Sequence, residues 1–261
     1  MIELSAELAI FLAFAAFAAG FIDAIAGGGG LITVPALLIA GFDPVVALGT
    51  NKLQSLFGSG SATLSYAAKG HVKITENWKA ALGSMIGAAL GAILATILPA
   101  WVLKALLPVL LVAIALYFAF KPALDDVDRV RRLGPLLFSA TVVPLIGFYD
   151  GVFGPGTGSF FMLAFVALAG YGVLKATAHT KLLNFASNIG GFAAFAAFGV
   201  VAWKAGVLMG AAQFAGAQLG ARLAMRNGAR IIKPLLVVTC TALAIRLLFD
   251  PENPWRLLAG F

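Results

Sequence analysis

The sequence predicts an all-α integral membrane protein. Its expected form is a polytopic helical bundle of two inverted-topology repeats, with glycine-broken helices or re-entrant hairpins and about 8–10 membrane segments. Composition is the first reason. Of 261 residues, 61% are apolar and only 11% are charged, and the mean hydropathy is +1.00. A soluble domain is about 45–50% apolar and about 25% charged. A water-soluble globule of this length could not bury so much apolar surface, and the same composition excludes disorder. The other two reasons are a succession of long apolar runs and an internal duplication.

The apolar runs fall near residues 6–26, 30–41, 45–68, 80–99, 102–120, 135–153, 158–173, 176–203, 205–222 and 232–249. A full crossing takes about 20 mostly apolar residues. Glu3 and Glu7 flank the start of the first run, and no Lys or Arg precedes it. A secretory signal needs a basic n-region, so this run reads as an uncleaved first segment. The second and seventh runs are short and follow glycine-rich stretches, as half-spans or arms of re-entrant hairpins would. Lys121 to Gly134 is the longest polar stretch and reads as a loop. The predicted division is a first repeat at 1–124, a cytoplasmic linker at 125–134 and a second repeat at 135–261. Cys240 is the single cysteine, so an intrachain disulfide or a cysteine metal cluster is excluded.

The net charge is +7. Its basic residues are scattered through short loops rather than gathered in the patch that nucleic acid requires. Lys69, Lys73 and Lys79 follow the third run. Lys121, Arg129, Arg131 and Arg132 lie in the central loop. Arg222, Arg226, Arg230 and Lys233 follow the ninth run. Cytoplasmic loops are rich in Lys and Arg, which places these three inside. The N-terminus, the turns at Trp101–Lys104 and Trp203–Lys204, and the tail with Asp250, Glu252 and Arg256 then lie outside. An odd number of crossings in each half makes the assignments consistent.

FIDAIAGGGG at 21–30 resembles FYDGVFGPGTG at 148–158, Lys52-Leu53 matches Lys181-Leu182, and GAALGA at 87–92 matches GAQLGA at 216–221. The offset is 127 residues for the first match and 129 for the others. With odd crossings per half, the two copies face opposite ways. Inverted repeats are a recurrent plan of secondary transporters, whose substrate site lies near the midplane between the repeats.

Charges inside the apolar runs are few: Asp23, Lys52, Asp150 and Lys181, with His179 beside the last. Each costs about 2.5–3.5 kcal/mol at a helix centre, which makes function the default reading. Lys52, Ser55 and Ser59 are spaced i, i+3, i+7, as are Lys181, Asn184 and Asn188. On a helix each trio shares a face. Thr50, Asn51 and Gln54 add donors near the first trio, and His179 and Thr180 near the second. An ammonium with neutral hydroxyl and amide donors is what a small oxyanion needs. The competing account makes each Lys a tether, snorkelling or paired with the Asp of its own repeat.

Asp23 precedes Gly27 to Gly30, and Asp150 precedes Gly154, Pro155, Gly156 and Gly158. Such stretches break a helix. The restarting helix presents N-terminal amides that favour an anion, so Gly29, Gly30, Gly156 and Gly158 join the candidate contacts. Close helix packing through small residues is the alternative, and is the reading for Gly83, Gly87, Gly91, Gly216 and Gly220. Asp23 and Asp150 either hold a coupling proton or cation, or cap the breaks and partner the lysines.

Enzymatic signals fail. GPGTGS at 154–159 lacks the Gly-Lys-Ser/Thr ending of a phosphate-binding loop. His71 and His179 do not form a metal-spaced set, and no nucleophile triad can be assembled. No catalytic residue, metal or cofactor is expected.

FIDAIAGGGGLITVPALL at 21–38, GTNKLQS at 49–55, GPGTGSFF at 154–161 and KATAHTKLLNFASNIGG at 175–191 resemble the TauE/SafE family of sulfite-exporter-like membrane proteins. The resemblance extends over nearly the whole chain. It implies a polytopic secondary transporter of the bacterial inner membrane, exporting sulfite, sulfoacetate or related small organosulfur or organic anions. The matching positions are the Asp23 glycine stretch, Thr50-Asn51-Lys52, Gly154–Gly158, and Thr180-Lys181 with Asn184 and Asn188. His179 stands where a small polar residue is expected. Facing the site, it would bring pH dependence near neutrality.

The expected function is therefore alternating-access transport of a small anion. Both termini lie outside, the coupling ion is a proton or sodium, the solvent is a lipid bilayer, and a homo-oligomer is compatible. The alternatives are an anion channel and a non-transporting membrane partner protein.

Overall fold

A computed structural model describes residues 4–97, 116 and 125–249. The run near 102–120, the Trp101–Lys104 turn, Lys121 and the tail with Asp250, Glu252 and Arg256 lie outside the described residues. The described elements are helical: α1 (Ala6–Ala26), α2 (Gly30–Ile39), α3 (Pro44–Ala68) and α4 (Trp78–Ala95), then α5 (Pro135–Val152), α6 (Thr157–Ala167), α7 (Val173–Ala197), α8 (Trp203–Asn227) and α9 (Ala229–Leu248). Most bounds follow the apolar runs to within a few residues. The exceptions are α6, which stops at Ala167, and α7, which stops at Ala197; each ends six residues short of its run and is followed by a loop.

Local chemistry sets several boundaries. Asp43 caps α3, its Oδ1 accepting the Val45 N–H at 3.0 Å, and Pro44 fills the first turn, where no N–H is needed. Within α5 the turn at Phe138–Val142 widens to a π-helix. Pro144 follows it. Its ring would meet the Ala140 carbonyl in a regular helix, and the wider turn relieves that clash.

Among the described residues, three helices are long and apolar enough to cross a membrane on length and composition alone: α1, α4 and α5. Helices α3 and α7 are 25 residues each but carry polar side chains. Those polar groups are turned inward: Thr50, Asn51, Lys52, Gln54, Thr180, Lys181 and Asn188 are all buried. The outer surface instead shows Ile10, Phe14, Ile39, Leu64, Leu90 and Leu145. This inversion of a soluble protein's pattern belongs to a bundle whose solvent is lipid.

The packing interleaves the two halves of the chain. Helix α1 lies against α8 and α4 against α5, while α3 packs on α8, α7 on α4, and α3 on α7. Glycines allow these approaches. Gly216 and Gly220 lie against the Phe17 and Phe21 carbonyls, and Gly87 and Gly91 against those of Pro144 and Phe148. An added Cβ would overlap each carbonyl. Helix α2 turns back along α1, where Ala36 and Leu37 join one apolar cluster with Leu12, Ala16 and Met209.

The basic loops gather at one end. Glu76, Asn77 and Lys79 border the same cavity as Arg131 and Leu133. Asp126 accepts the Leu174 N–H at 2.9 Å and the Ala229 N–H at 3.1 Å, so one carboxylate caps both α7 and α9. Asp128 accepts the Gly172 N–H at 2.9 Å and meets Lys175 Nζ at 2.5 Å. Partial burial pushes the Asp128 carboxyl up. The Lys175 and Gly172 hydrogen bonds outweigh it and hold the group below the usual carboxylate range.

Two predictions follow from this packing. Gly91→Ala and Gly216→Ala each lower thermal stability in detergent by about 1–3 kcal/mol through overpacking, whereas Gly134→Ala, with open space around it, stays within about 0.5 kcal/mol. The Asp128 contribution is complete above the unfolded value of about 3.9 and is lost as pH falls through the lowered folded value. Asp128→Asn therefore melts earlier than wild type at neutral pH, by under about 1 kcal/mol for a half-exposed pair, and the gap between the two melting curves closes in acid.

Candidate central binding site

Two helix breaks meet at the centre of the bundle. Helix α1 ends at Ala26. Gly27 and Gly28 follow with φ 84° and 93°, and α2 begins at Gly30. In the second half α5 ends at Val152, Gly154 and Gly156 take φ 84° and 86°, and α6 begins at Thr157. Glycine alone adopts this left-handed region readily. The breaks also touch: a Cβ on Gly27 would stand 2.7 Å from the Gly158 carbonyl carbon. The N-termini of α2 and α6 thus converge.

Among the described residues, the buried charges Asp23, Lys52, Asp150 and Lys181 form two ion pairs, and both cross between the halves. Lys52 on α3 reaches Asp150 on α5 at 2.8 Å. Lys181 on α7 reaches the Asp23 carboxylate on α1 at 3.1 Å and also donates to the Asp23 carbonyl. The tether account had each Lys paired within its own repeat; the structure pairs each with the other repeat. Packing explains the choice. A Cβ on Gly191 of α7 would lie 3.1 Å from Lys52 Cε, so the missing side chain opens a slot for the lysine stem. Both ammonium groups also lie close to the second break, since Cβ atoms on Gly154 and Gly158 would stand 3.4 and 3.5 Å from Lys52 Nζ and Lys181 Nζ.

The second oxygen of each carboxylate serves the restarted helix. Asp23 Oδ1 accepts the Gly29 N–H at 3.1 Å, and Asp150 Oδ1 accepts the Thr157 hydroxyl at 2.7 Å. Capping and lysine pairing, separate options in the sequence, are met by one side chain.

A cavity of about 20 Å³ lies between the breaks. Asp23, Gly29, Gly30, Asn51, Ser55, Asp150, Gly158, Asn184 and Asn188 line it, with Gly28 and Gly154 of the two glycine stretches, as do Thr157 and Gln213, which were not singled out as contacts from the sequence. Its volume suits about one water. Asn51 is oriented by its neighbours: Thr33 and Gln54 donate to its Oδ1 at 2.6 and 2.9 Å. Its amide Nδ2 then faces the breaks, 3.4 Å from where a Gly30 Cβ would be.

The remaining candidates stand apart from this lining. Lys52 and Lys181 sit behind it, each on its carboxylate. Ser59 donates to the Ser55 carbonyl at 2.5 Å and accepts from Asn188 Nδ2 at 3.3 Å. Thr180 is buried, its hydroxyl without a hydrogen-bond partner, and Gly156 precedes α6 at positive φ. His179 does not join the centre. Its Nδ1–H donates to the Lys175 carbonyl at 2.9 Å, and its ring packs on Phe165 and Tyr171 in a separate cavity at the end carrying the basic loops. At two positions from Lys181 on a helix it points elsewhere. Gln213 had a visible signal, being one of two amides, with Gln218, within the run 205–222. Thr157 had none, because its repeat counterpart is Gly30. Among the described residues no group of three or more His, Cys, Asp or Glu could hold a metal ion.

Broken helices meeting over two buried, oppositely charged pairs, inside helices with an apolar outer face, define a polytopic membrane protein with a polar centre. The chain belongs to the family described as sulfite exporter TauE/SafE, whose model matches residues 12–247. Among its relatives is a Sinorhizobium protein described as "Probable membrane transporter protein ORF9", 65% identical over 260 residues and covering 100% of both chains. A Haemophilus influenzae "Probable membrane transporter protein" is 45% identical over 95% of this chain and 97% of its own. The Escherichia coli K12 "Probable membrane transporter protein YfcA" is 45% identical over 93% of this chain and 90% of its own. No solved structure matches the chain.

Removing one member of a buried pair leaves an uncompensated charge and costs about 3–5 kcal/mol, while replacing both by apolar residues is often neutral. Lys52→Met and Asp150→Leu should each lower the melting temperature sharply. The double variant should recover most of the loss. Additive losses in this thermal double-mutant cycle would show that the two charges do not interact.

Proposed function

We propose that the protein is a secondary transporter of sulfite or small organosulfur or organic anions in the bacterial inner membrane. One observation carries the reading: two glycine breaks converge on a cavity backed by Lys52 and Lys181, at the contact between the two halves of the chain. In this reading Lys52 and Lys181 supply the positive charge. Asn51, Ser55, Asn184, Asn188 and the backbone of Gly29, Gly30 and Gly158 contact the oxygens. Ser59, Thr180 and Gly156 support that lining from behind. Gln213 and Thr157 complete it.

The halves 1–124 and 135–261 act as inverted repeats in alternating access. Packing of α1 on α8 and of α5 on α4 is the same contact written twice under the sequence offset, which supports that symmetry. The return of α2 along α1 supports a re-entrant hairpin. Basic loops at one end support a cytoplasmic face there, with both termini outside, and the family supports export as the direction. The small cavity favours a transporter over an anion channel, which needs a continuous polar path.

The test is flux of labelled sulfite and sulfoacetate in liposomes containing the purified protein. Saturable flux of at least one anion is expected, with Lys52→Ala and Lys181→Ala abolishing it in protein shown to be folded. Undiminished transport by both variants would sink the site assignment. Absence of flux for every small oxyanion tried would favour a non-transporting partner protein.

A further inference from the structure

We infer that an anion enters this centre only together with protons, which are taken up on Oδ2 of Asp23 and Asp150. The inference rests on the transporter reading. Among the described residues, two lysines and two aspartates give the centre zero net charge. The cavity wall carries both carboxylates and no ammonium. An arriving oxyanion would therefore meet two negative groups first, while the cations stay engaged behind them.

The charged or titratable groups facing this point from the packed elements are few. Helices α1 and α5 supply Asp23 and Asp150, and α3 and α7 supply Lys52 and Lys181. The nearby phenols of Tyr66 and Tyr149 are spent as donors to the Ala24 and Pro155 carbonyls, at 3.0 and 2.7 Å. Helix α8 contributes neutral Gln213, and α6 contributes Thr157.

The two oxygens of each aspartate are not equivalent. Each Oδ1 holds a break in place, through the Gly29 N–H or the Thr157 hydroxyl. Each Oδ2 faces only a lysine. A proton from the aqueous side can add to Oδ2 without disturbing either cap. The aspartate then becomes a neutral acid, and its lysine keeps its own protons and turns its charge to the anion. No bond between heavy atoms forms or breaks. One protonation balances a monovalent anion and two balance a divalent one. Each protonation also severs one of the ion pairs between the halves, so the event that neutralises the anion releases a tie that holds the halves together.

The test uses wild-type protein in liposomes with the membrane potential clamped, and sulfite and sulfoacetate as probes. A one-unit pH gradient should raise anion accumulation about tenfold per coupled proton, with matching proton uptake read by a trapped pH dye. Asp23→Asn and Asp150→Asn, which imitate the neutral acid, should each lower the number of coupled protons by one in the flux that remains, measured on protein shown to be folded. Infrared difference spectra of wild type, needing no variant, should gain a protonated-carboxyl band when sulfite is added. Anion flux that ignores the pH gradient overturns the inference and leaves the transporter reading intact. Coupling that persists undiminished in both variants also overturns it, because the proton then travels on the anion itself. No flux of either anion by folded protein overturns the transporter reading and this inference with it.

Discussion

Four full charges inside a lipid-facing bundle can be tolerated only if each is matched at contact distance, and that requirement organises the rest of the fold. The low-dielectric interior penalises an isolated ammonium or carboxylate far more than it penalises a close pair. Here each pair joins residues distant in sequence: Lys52 with Asp150, and Lys181 with Asp23, 158 positions apart. Pairing across the halves requires α3 to approach α5 and α7 to approach α1. The interleaved packing does this, and Gly191 clears the path for the Lys52 stem.

The glycine breaks depend on the same aspartates. An unwound stretch at membrane depth leaves backbone donors and acceptors that lipid cannot satisfy. Asp23 answers with both ends of its residue: its carboxylate takes the Gly29 N–H, and its carbonyl takes the Gly27 N–H and the Lys181 ammonium. Asp150 accepts the Thr157 hydroxyl, one position further along the restarted helix. Charge neutralisation and helix interruption are therefore one construction. The spacing from Asp23 to Gly27 is repeated from Asp150 to Gly154, and it lets each carboxylate reach forward to the restarted helix.

Much of this was legible in the sequence, because it is local. Apolar length located the helices, consecutive glycines located the breaks, and i, i+3, i+7 spacing placed Lys52 with Ser55 and Lys181 with Asn184 on shared faces. Tertiary choice was not legible. Nothing periodic tells Lys52 to prefer Asp150 over Asp23, since the two aspartates have the same local surroundings. His179 looked like a site residue by adjacency to Lys181, yet a two-residue step on a helix turns it toward Phe165 and Tyr171. Asp126 and Asp128 looked like loop charges, whereas they cap helices of the second half. Comparing the repeats found the symmetric residues and concealed Thr157, whose counterpart is a glycine.

Under the proposed transport of a small anion, a neutral resting centre also shapes what that anion can gain there. A ligand that replaces an intramolecular carboxylate gains only the difference between two charge contacts, because the lysine was already paired. Strong net attraction is thus unavailable, and discrimination must come from the uncharged donors. Asn51 is suited to that role, since Thr33 and Gln54 fix its carbonyl and leave its NH2 turned to the breaks. Asn184, Asn188 and Gln213 surround the same small volume. Amide donors of fixed direction reward an oxyanion whose oxygens match their geometry and penalise one that leaves them unsatisfied. Weak charge attraction with directional polar contacts lets a solute bind selectively and still leave, which repeated turnover requires.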